Sequence, residues 1–358
     1  MRTADFDFEL PLELIAQKPV ARRDQSRLLV LNRQTWRIEH RHFRDMLGYL
    51  CPGDVLVLNN SRVIAARLRG KNARSGGRFE ILLLEENRTN DWWVMLRPGR
   101  RARVGTRIQI EDRQGRPAGL EASVLNVNEE GHRRLLFDGA PEILDELARV
   151  GDVPLPPYIR RVRGAGLQED LRRYQTVYAD PAGSVAAPTA GLHLTEALLA
   201  EIRGQGTCIC MVTLHVGLGT FAPVKAEWIA GHTMHEERYE LPEKTVEAIT
   251  AAKRGRHRVF AVGTTTVRVL ESVAAQNGGP LVAGPGRTKI FIHPPYAFRV
   301  VDALLTNFHL PRSTLLMLAS AFAAPQRLSG RDLILLAYAE AIRERYRFFS
   351  YGDAMLIL

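Results

Sequence analysis

The sequence predicts an α/β protein, α+β when its domains are taken together, in which both ends of the chain build one domain and a small all-β module is inserted between them. Three observations carry this expectation. The chain opens on strand-like runs; between residues 63 and 141 it changes to short strands separated by glycines and charged turns; beyond Pro141 helical and strand periods alternate to the end. The expected domains are residues 1–62 with 148–358, and residues 63–147 as the insert.

RLLVLNRQTWRIE, residues 27–39, reads as two short strands around a polar turn, and PGDVLVLNNSRV, residues 52–63, as another strand. In the insert, FEILLL from Phe79, WWVMLRP from Trp92, RIQI from Arg107 and ASVLNV from Ala122 carry strand signals. PEILDELARVG, residues 141–151, has helical spacing, a proline at its start and a closing glycine. TEALLAEIRGQG, with Thr195 as N-cap, then leads to the strand CICMVTLHV, and PEKTVEAITAAKRG leads to the strand RVFAVGTT and the helix TTVRVLESVAAQNGG. Such units alternate around a sheet. Cys208 and Cys210 fall on the core face of their strand, and GDVPLPPYIRRVRGAG from Gly151 reads as a Pro-rich, then Arg-rich loop.

The balance of 49 Lys+Arg against 39 Asp+Glu gives a formal charge of +10 and a pI near 9.8, which suits a polyanionic partner. Thirteen Arg/Lys against six Asp/Glu lie between residues 62 and 113, densest at Arg97, Arg100, Arg101 and Arg103. They read either as a phosphate-facing patch or as solvated outer positions of a small barrel. Three cysteines without a CxxC pair, and an N-terminus that opens on acidic and aromatic residues, lead us to expect a cytoplasmic protein without a secretory signal. The longest apolar cluster, residues 315–324, falls far short of the ~20 residues of a membrane span.

Candidate chemistry concentrates in charge-poor loops. GSVAAPTAG, residues 183–191, has small residues at nearly every position, so its backbone can approach a ligand; it reads equally as a plain turn. His193 follows it just before a helix start, where negative charge is favoured. His215 closes an apolar strand ahead of GLGTF, which lacks the third glycine of a dinucleotide fingerprint. GHTMHEERYEL gathers His232, His235, Glu236 and Glu237, suited to acid/base work, to zinc, or to a hydrogen-bonded surface loop. Gly263, Thr264 and Thr265 sit at a strand-to-helix turn with Arg268 in the following turn, the place where open α/β sheets bind ligands. Asn307 and His309 precede a Pro and a Ser/Thr cap, and Asp353 lies in a Tyr-Gly-Asp turn as a base or a turn acid. P-loop and α/β-hydrolase signatures are absent from the sequence.

Several runs together resemble the S-adenosylmethionine:tRNA ribosyltransferase-isomerase family of queuosine biosynthesis: FDFELPLELIAQKP, RDQSRLLVL, GDVLVLNNSRVIAARL, YQTVYADPAGSVAAPTAGLHLT, TLHVGLGTF, HTMHEE, VGTTTVRVLES, LLTNFHLPRSTLLML and YRFFSYGDAML. They span both ends and the middle of the chain, and the Arg-rich β module is the least distinctive part. Asn60, Ala65, Leu194 and Pro295 depart from the Asp, Pro, Phe and Gly common in the family, and an amide at Asn60 cannot act as a carboxylate base. The resemblance implies a monomer with a barrel-like α/β main domain and an inserted small β-barrel. It also implies transfer and isomerisation of the ribosyl group of S-adenosylmethionine onto 7-aminomethyl-7-deazaguanine at the tRNA wobble position, giving epoxyqueuosine with release of adenine and methionine.

On that reading proton transfer falls to a subset of His193, His215, His232, His235 and His309, with Asp353 as a further candidate. Tyr174, Tyr178 or Phe221 would offer a ring face to the sulfonium, and Ser184 and Thr189 would hold the nucleoside or carboxylate. Gly217, Gly219, Thr220, Thr264, Thr265, Arg268 and Asn307 complete the expected S-adenosylmethionine site. Arg97, Arg100, Arg101, Arg103, Arg160, Arg161 and Arg163 are the expected tRNA contacts. S-adenosylmethionine is consumed as a co-substrate, and neither a metal nor a further cofactor is expected. The rival readings are a non-catalytic RNA-binding protein and an S-adenosylmethionine-dependent RNA methyltransferase.

Overall fold

The structure, a computed structural model, describes residues 1–161, 167–217, 224 and 226–358. After short 3-10 turns the chain forms the hairpin β1 (Arg27–Leu31) and β2 (Ile38–His42), its turn held by Asn32 Oδ1, which accepts from the amides of Gln34 and Thr35. β3 (Val55–Asn59) and the two-residue β4 (Arg62–Val63) follow. Next come β5 (Arg67–Asn72), β6 (Arg78–Arg88), β7 (Asp91–Arg97), β8 (Arg107–Glu111), β9 (Pro117–Val127), β10 (Arg133–Asp138) and the helix α1 (Ile143–Val150). The remainder runs α2 (Leu167–Arg173), β11 (Ala182–Ser184), α3 (Glu196–Gly204), β12 (Cys208–Leu214), β13 (Glu237–Leu241), α4 (Glu243–Arg254), β14 (Val259–Val262) and α5 (Thr264–Gln276). It ends with β15 (Gly284–Thr288), β16 (Ala303–Asn307), α6 (Thr314–Ala323), α7 (Gly330–Arg343) and β17 (Ala354–Ile357).

β5 to β10 close into an antiparallel six-stranded barrel in the order β10-β7-β6-β5-β8-β9. Alternation along the strands sends Leu68, Ile81, Leu83, Val94, Ile108, Ile110 and Leu135 into a fully buried core, which Ile143, Leu147 and Val150 of α1 join. The sequence signals named four of these strands and missed β5 and β10. In β5 the inward positions are Leu68 and Gly70, and a Cβ at Gly70 would lie 2.6 Å from Ile108 Cγ2, so close packing has removed the apolar signal there.

The main sheet has nine strands in the order β15-β13-β12-β3-β14-β16-β17-β1-β2, so β1 near the start of the chain pairs in parallel with β17 at its end. β3, β14, β16 and β17 are buried at every position, as strands covered on both faces must be. The two-residue period sorts them. Val55, Val57, Ala261 and Leu304 face a core shared with α4, α5, α6 and α7, while Leu56, Leu58, Phe260 and Leu305 face one shared with α3. α6 carries no clear helical period because it is buried on nearly all sides, whereas α7 has one, burying Gly330, Leu333, Ile334, Ala337, Tyr338 and Ala341, that the sequence reading did not pick out. One detail of the expected core is corrected: Cys210 is buried but Cys208, at the start of β12, is exposed.

Side chains of the sheet reach the barrel strand β6: Arg238, on β13, donates to the Glu86 carbonyl at 3.2 Å, and Arg287, on β15, donates to Glu85 Oε1 and Oε2 at 3.0 and 3.1 Å. Arg67 of β5 also exchanges backbone hydrogen bonds with Asp152, just after α1.

Candidate functional site

β12, β3, β14 and β16 are mutually parallel, so their carboxyl ends emerge along one edge of the sheet. Loops that leave such an edge diverge and open a cleft. At the end of β14, Gly263 adopts φ +88, the region where glycine alone is free of strain, and the chain turns directly into α5. The first amides of α5 therefore lie at the edge of the cleft, with the positive end of the helix dipole. At the end of β16, Ser313 Oγ accepts from Leu316 N at 3.2 Å and caps α6.

The cleft is open to solvent and is lined by Tyr158, residues 187–190, Val216, residues 263–265, residues 306–310, Ser313, Leu315, Phe349 and Ser350. Of the residues expected from sequence, it gathers Thr189, Thr264, Thr265, Asn307 and His309.

Behind this wall lies a buried polar chain. Asn307 Nδ2 donates to the Phe349 carbonyl at 3.3 Å and to His193 Nε2 at 3.2 Å, so His193 carries its proton on Nδ1, which donates to Ser26 Oγ at 2.7 Å; Ser26 Oγ then donates to the Arg23 carbonyl at 3.3 Å. The ring of His193 stacks on Phe43 at 4.9 Å. Burial, with Arg347 and Arg23 nearby, pushes the His193 pKa down to about 3, so the imidazole is neutral and both nitrogens are engaged. Asn307 Oδ1 is left buried with no partner. His309 is also pushed down to about 3, by burial alone; its Nε2 lies 2.8 Å from Thr306 Oγ1, and its backbone amide donates to Tyr338 Oη.

A second layer positions the α5 end. Asn59 Nδ2 donates to the Leu214 carbonyl at 3.0 Å and to Thr265 Oγ1 at 3.2 Å, stitching β3, β12 and α5 together. Arg268 and Glu237, both buried, form an ion pair, and Glu237 Oε1 accepts from Gly217 N at 3.0 Å. Arg268 Nε and Nη2 have no partner. Ser184 Oγ donates to Ser61 Oγ and accepts from Val216 N, holding the strand next to the cleft rather than facing it. Asn60 Oδ1 accepts from Thr213 Oγ1 at 2.7 Å, so the amide supplies the acceptor that a carboxylate would.

The other expected residues lie elsewhere. Tyr174 and Tyr178 belong to the core; a Cβ at Gly191 would come within 2.0 Å of Tyr178 Oη. His215 packs under Gly183, with Nδ1 buried and unpartnered, and burial and Arg238 lower its pKa. His232 sits edge-on to Phe291 and is lowered by burial and by the neighbouring His235, which is exposed. Asp353 accepts from the amides of Arg27 and Arg347 at 2.9 and 2.8 Å, the contacts of a turn acid. Arg97, Arg100, Arg101, Arg103 and Arg160 are exposed, whereas Arg161 makes a two-pronged pair with Asp170 at 2.7 and 2.8 Å. Arg163, Gly219, Thr220 and Phe221 lie outside the described residues. Among the described residues no three His, Cys, Asp or Glu side chains are grouped to hold a metal ion.

Sequence reasoning missed Ser26, Thr306, Tyr158, Phe349 and Ser350. The last two stand in YRFFSYGD, so that motif carries the signal through Phe349 and Ser350 rather than through Asp353.

A family model described as queuosine biosynthesis protein matches residues 3–357. The chain belongs to the queuosine biosynthesis protein family. Within that family, proteins of Desulforamulus reducens (48% identical over 358 residues) and Clostridioides difficile (50% over 360 residues) are named S-adenosylmethionine:tRNA ribosyltransferase-isomerase; each comparison covers 100% of both chains. A crystal structure of the S-adenosylmethionine tRNA ribosyltransferase of Thermotoga maritima is 40% identical, covers 99% of this chain and 100% of its own, and superposes with a TM-score of 0.55. The mixed α/β architecture is thus the queuosine biosynthesis family's fold.

Proposed function

We propose that the protein is the enzyme that moves and isomerises the ribosyl group of S-adenosylmethionine onto 7-aminomethyl-7-deazaguanine at the wobble position of tRNA, forming epoxyqueuosine and releasing adenine and methionine. It acts as a cytoplasmic monomer, with S-adenosylmethionine as co-substrate and no further cofactor. The carrying observation is that one cleft is lined by residues of five separate family-matching runs: Thr189, Val216, Thr264 with Thr265, Asn307 with His309, and Ser350. Relatives about 50% identical bear the name of that activity.

The sulfonium acidifies the adjacent 5′ hydrogens. Loss of one to a base lets the ribose expel adenine, which takes up a proton, and the aminomethyl nitrogen then attacks the ribose-derived chain from which methionine departs. His309 is the histidine that lines the cleft, and we assign it the proton transfer. Its Nε2 shares a hydrogen bond with Thr306 Oγ1, which fixes the ring; burial keeps the ring neutral and makes its conjugate acid strong, which suits passing a proton to adenine. The α5 amino end with Thr264 and Thr265 suits the methionyl carboxylate. Asn307 Oδ1 awaits a donor N–H or O–H of the substrate. Phe349 and Tyr158, with centroids 4.7 Å apart at the cleft, replace Tyr174 and Tyr178 as the rings facing the sulfonium.

The test is product analysis after incubation with S-adenosylmethionine and tRNA carrying 7-aminomethyl-7-deazaguanine. Free adenine, methionine and a nucleoside of epoxyqueuosine mass are expected. S-adenosylhomocysteine in their place would make the protein a methyltransferase, and tRNA binding without any product would make it a binding protein.

A further inference from the structure

Next to the cleft, on the α3 side of the sheet, lies an open groove lined in part by Arg23, Arg172, Arg173 and Gln175. None of the three arginines has a carboxylate within 4 Å among the described residues, and the segments outside the description contain no Asp or Glu. Arg23 instead donates to the carbonyls of Leu192 and Arg172, and Arg173 to those of Ala21 and Val20 at 3.0 and 2.5 Å. Neutral carbonyls fix the direction of a guanidinium without cancelling its charge. Burial first, and then the neighbouring Arg173 and Arg172, lower the pKa of Arg23, while Tyr351 and Tyr178 act the other way. The Arg173 Nε is buried and unpartnered, and the Arg172 side chain is exposed with no hydrogen bond. The one carboxylate on the groove wall, Glu196, lies in the first turn of α3 and pairs with none of the three.

The groove is connected to the chemistry. Arg23 and Arg173 also line a small cleft with His193 and Ser350, and Ser350 lines the S-adenosylmethionine cleft itself. A base drawn out of an anticodon loop brings its flanking phosphates to the mouth of the pocket, and fixed, uncompensated cations there are what those phosphates require. We infer that Arg23, Arg172 and Arg173 hold anticodon-loop phosphates of the tRNA while the modified base reaches past Ser350 into the cleft. This rests on the proposed reaction and places a phosphate site at the cleft mouth, apart from the barrel arginines. Arg161 is already neutralised by Asp170 and takes no part.

The experiment measures tRNA affinity against NaCl concentration, and KM for tRNA and for S-adenosylmethionine, in the wild type, Arg172→Gln and Arg172→Gln/Arg173→Gln. Arg254→Gln, an exposed residue of α4 on the opposite face of the sheet, controls for net charge. Each lost contact should flatten the log–log salt slope by about 0.7 to 0.9. KM for tRNA should rise while KM for S-adenosylmethionine stays, and Arg254→Gln should keep the wild-type slope. Arg172→Gln breaks no hydrogen bond, so it stays informative if the double variant folds poorly. Unchanged slopes in correctly folded variants, or an equal loss in Arg254→Gln, would overturn the inference. A wild type that binds tRNA but releases no adenine would instead refute the reaction, leaving the salt slopes to test the groove by themselves.

Discussion

Asn307 has both donor hydrogens committed, to His193 and to a backbone carbonyl, so its orientation is fixed and its free oxygen is the group offered to a ligand. His193 is thereby a positioning residue. Asn307→Ala should raise KM for S-adenosylmethionine about tenfold to a hundredfold, the equivalent of losing one buried hydrogen bond, with the fold intact by circular dichroism. An unchanged KM would remove Asn307 from the binding site. His193 and His309 both have folded pKa values near 3 against an ordinary 6.5, so the unfolded chain takes protons first as pH falls. Their contribution to stability is whole above about pH 6.5, declines as pH drops toward 3, and by pH 5 should be down by about 2 kcal/mol for each histidine. Urea unfolding at pH 7 and pH 5 checks this: His309→Gln should lose less between the two than the wild type, and equal losses would contradict the burial argument. At this scale the sequence made Thr189, Thr264, Thr265, Asn307 and His309 legible because they stand in dense motifs. It did not separate His193 from His309, since which ring is fully engaged depends on Ser26, 167 positions away.

Elements with a clear boundary signal were legible: α3 with its Thr195 cap, whose side chain accepts from Leu198 N at 3.1 Å, α4 ahead of Gly255, α5 between Gly263 and Gly278, and the strands β12 and β14 that these helices flank. Others were not. β5 replaces an inward side chain with Gly70, and α6 is apolar nearly all round, so neither shows an amphipathic signal. The α6–α7 contact yields its own prediction. A Cβ on Gly330 would lie 2.0 Å from the Ser320 carbonyl and 3.0 Å from Ala324 N, both backbone atoms that cannot swing aside. Gly330→Ala should therefore cost about 1 to 3 kcal/mol and lower Tm, as overpacking does. A wild-type Tm would show that the two helices slide apart freely.

Across the whole molecule, the change in texture after Val63 marked the β-rich stretch that closes into the barrel, because short strands with charged turns differ in composition from strands buried on both faces. The order of the nine-stranded sheet was not legible. Pairing β1 with β17 joins segments more than 300 residues apart, and nothing local in either strand encodes the partner. That same pairing brings the C-terminal run with Phe349 and Ser350 to the cleft, so a contact between the two ends of the chain also completes the site. The α/β core supplies the parallel edge, the loops supply the chemistry, and the arginines beside it supply the charge. The most direct test of the account is single-turnover adenine release at saturating S-adenosylmethionine and modified tRNA, comparing wild type with His309→Gln. A fall of about 10² to 10⁴-fold with tRNA binding retained is the predicted result; adenine release by His309→Gln at the wild-type rate would contradict it.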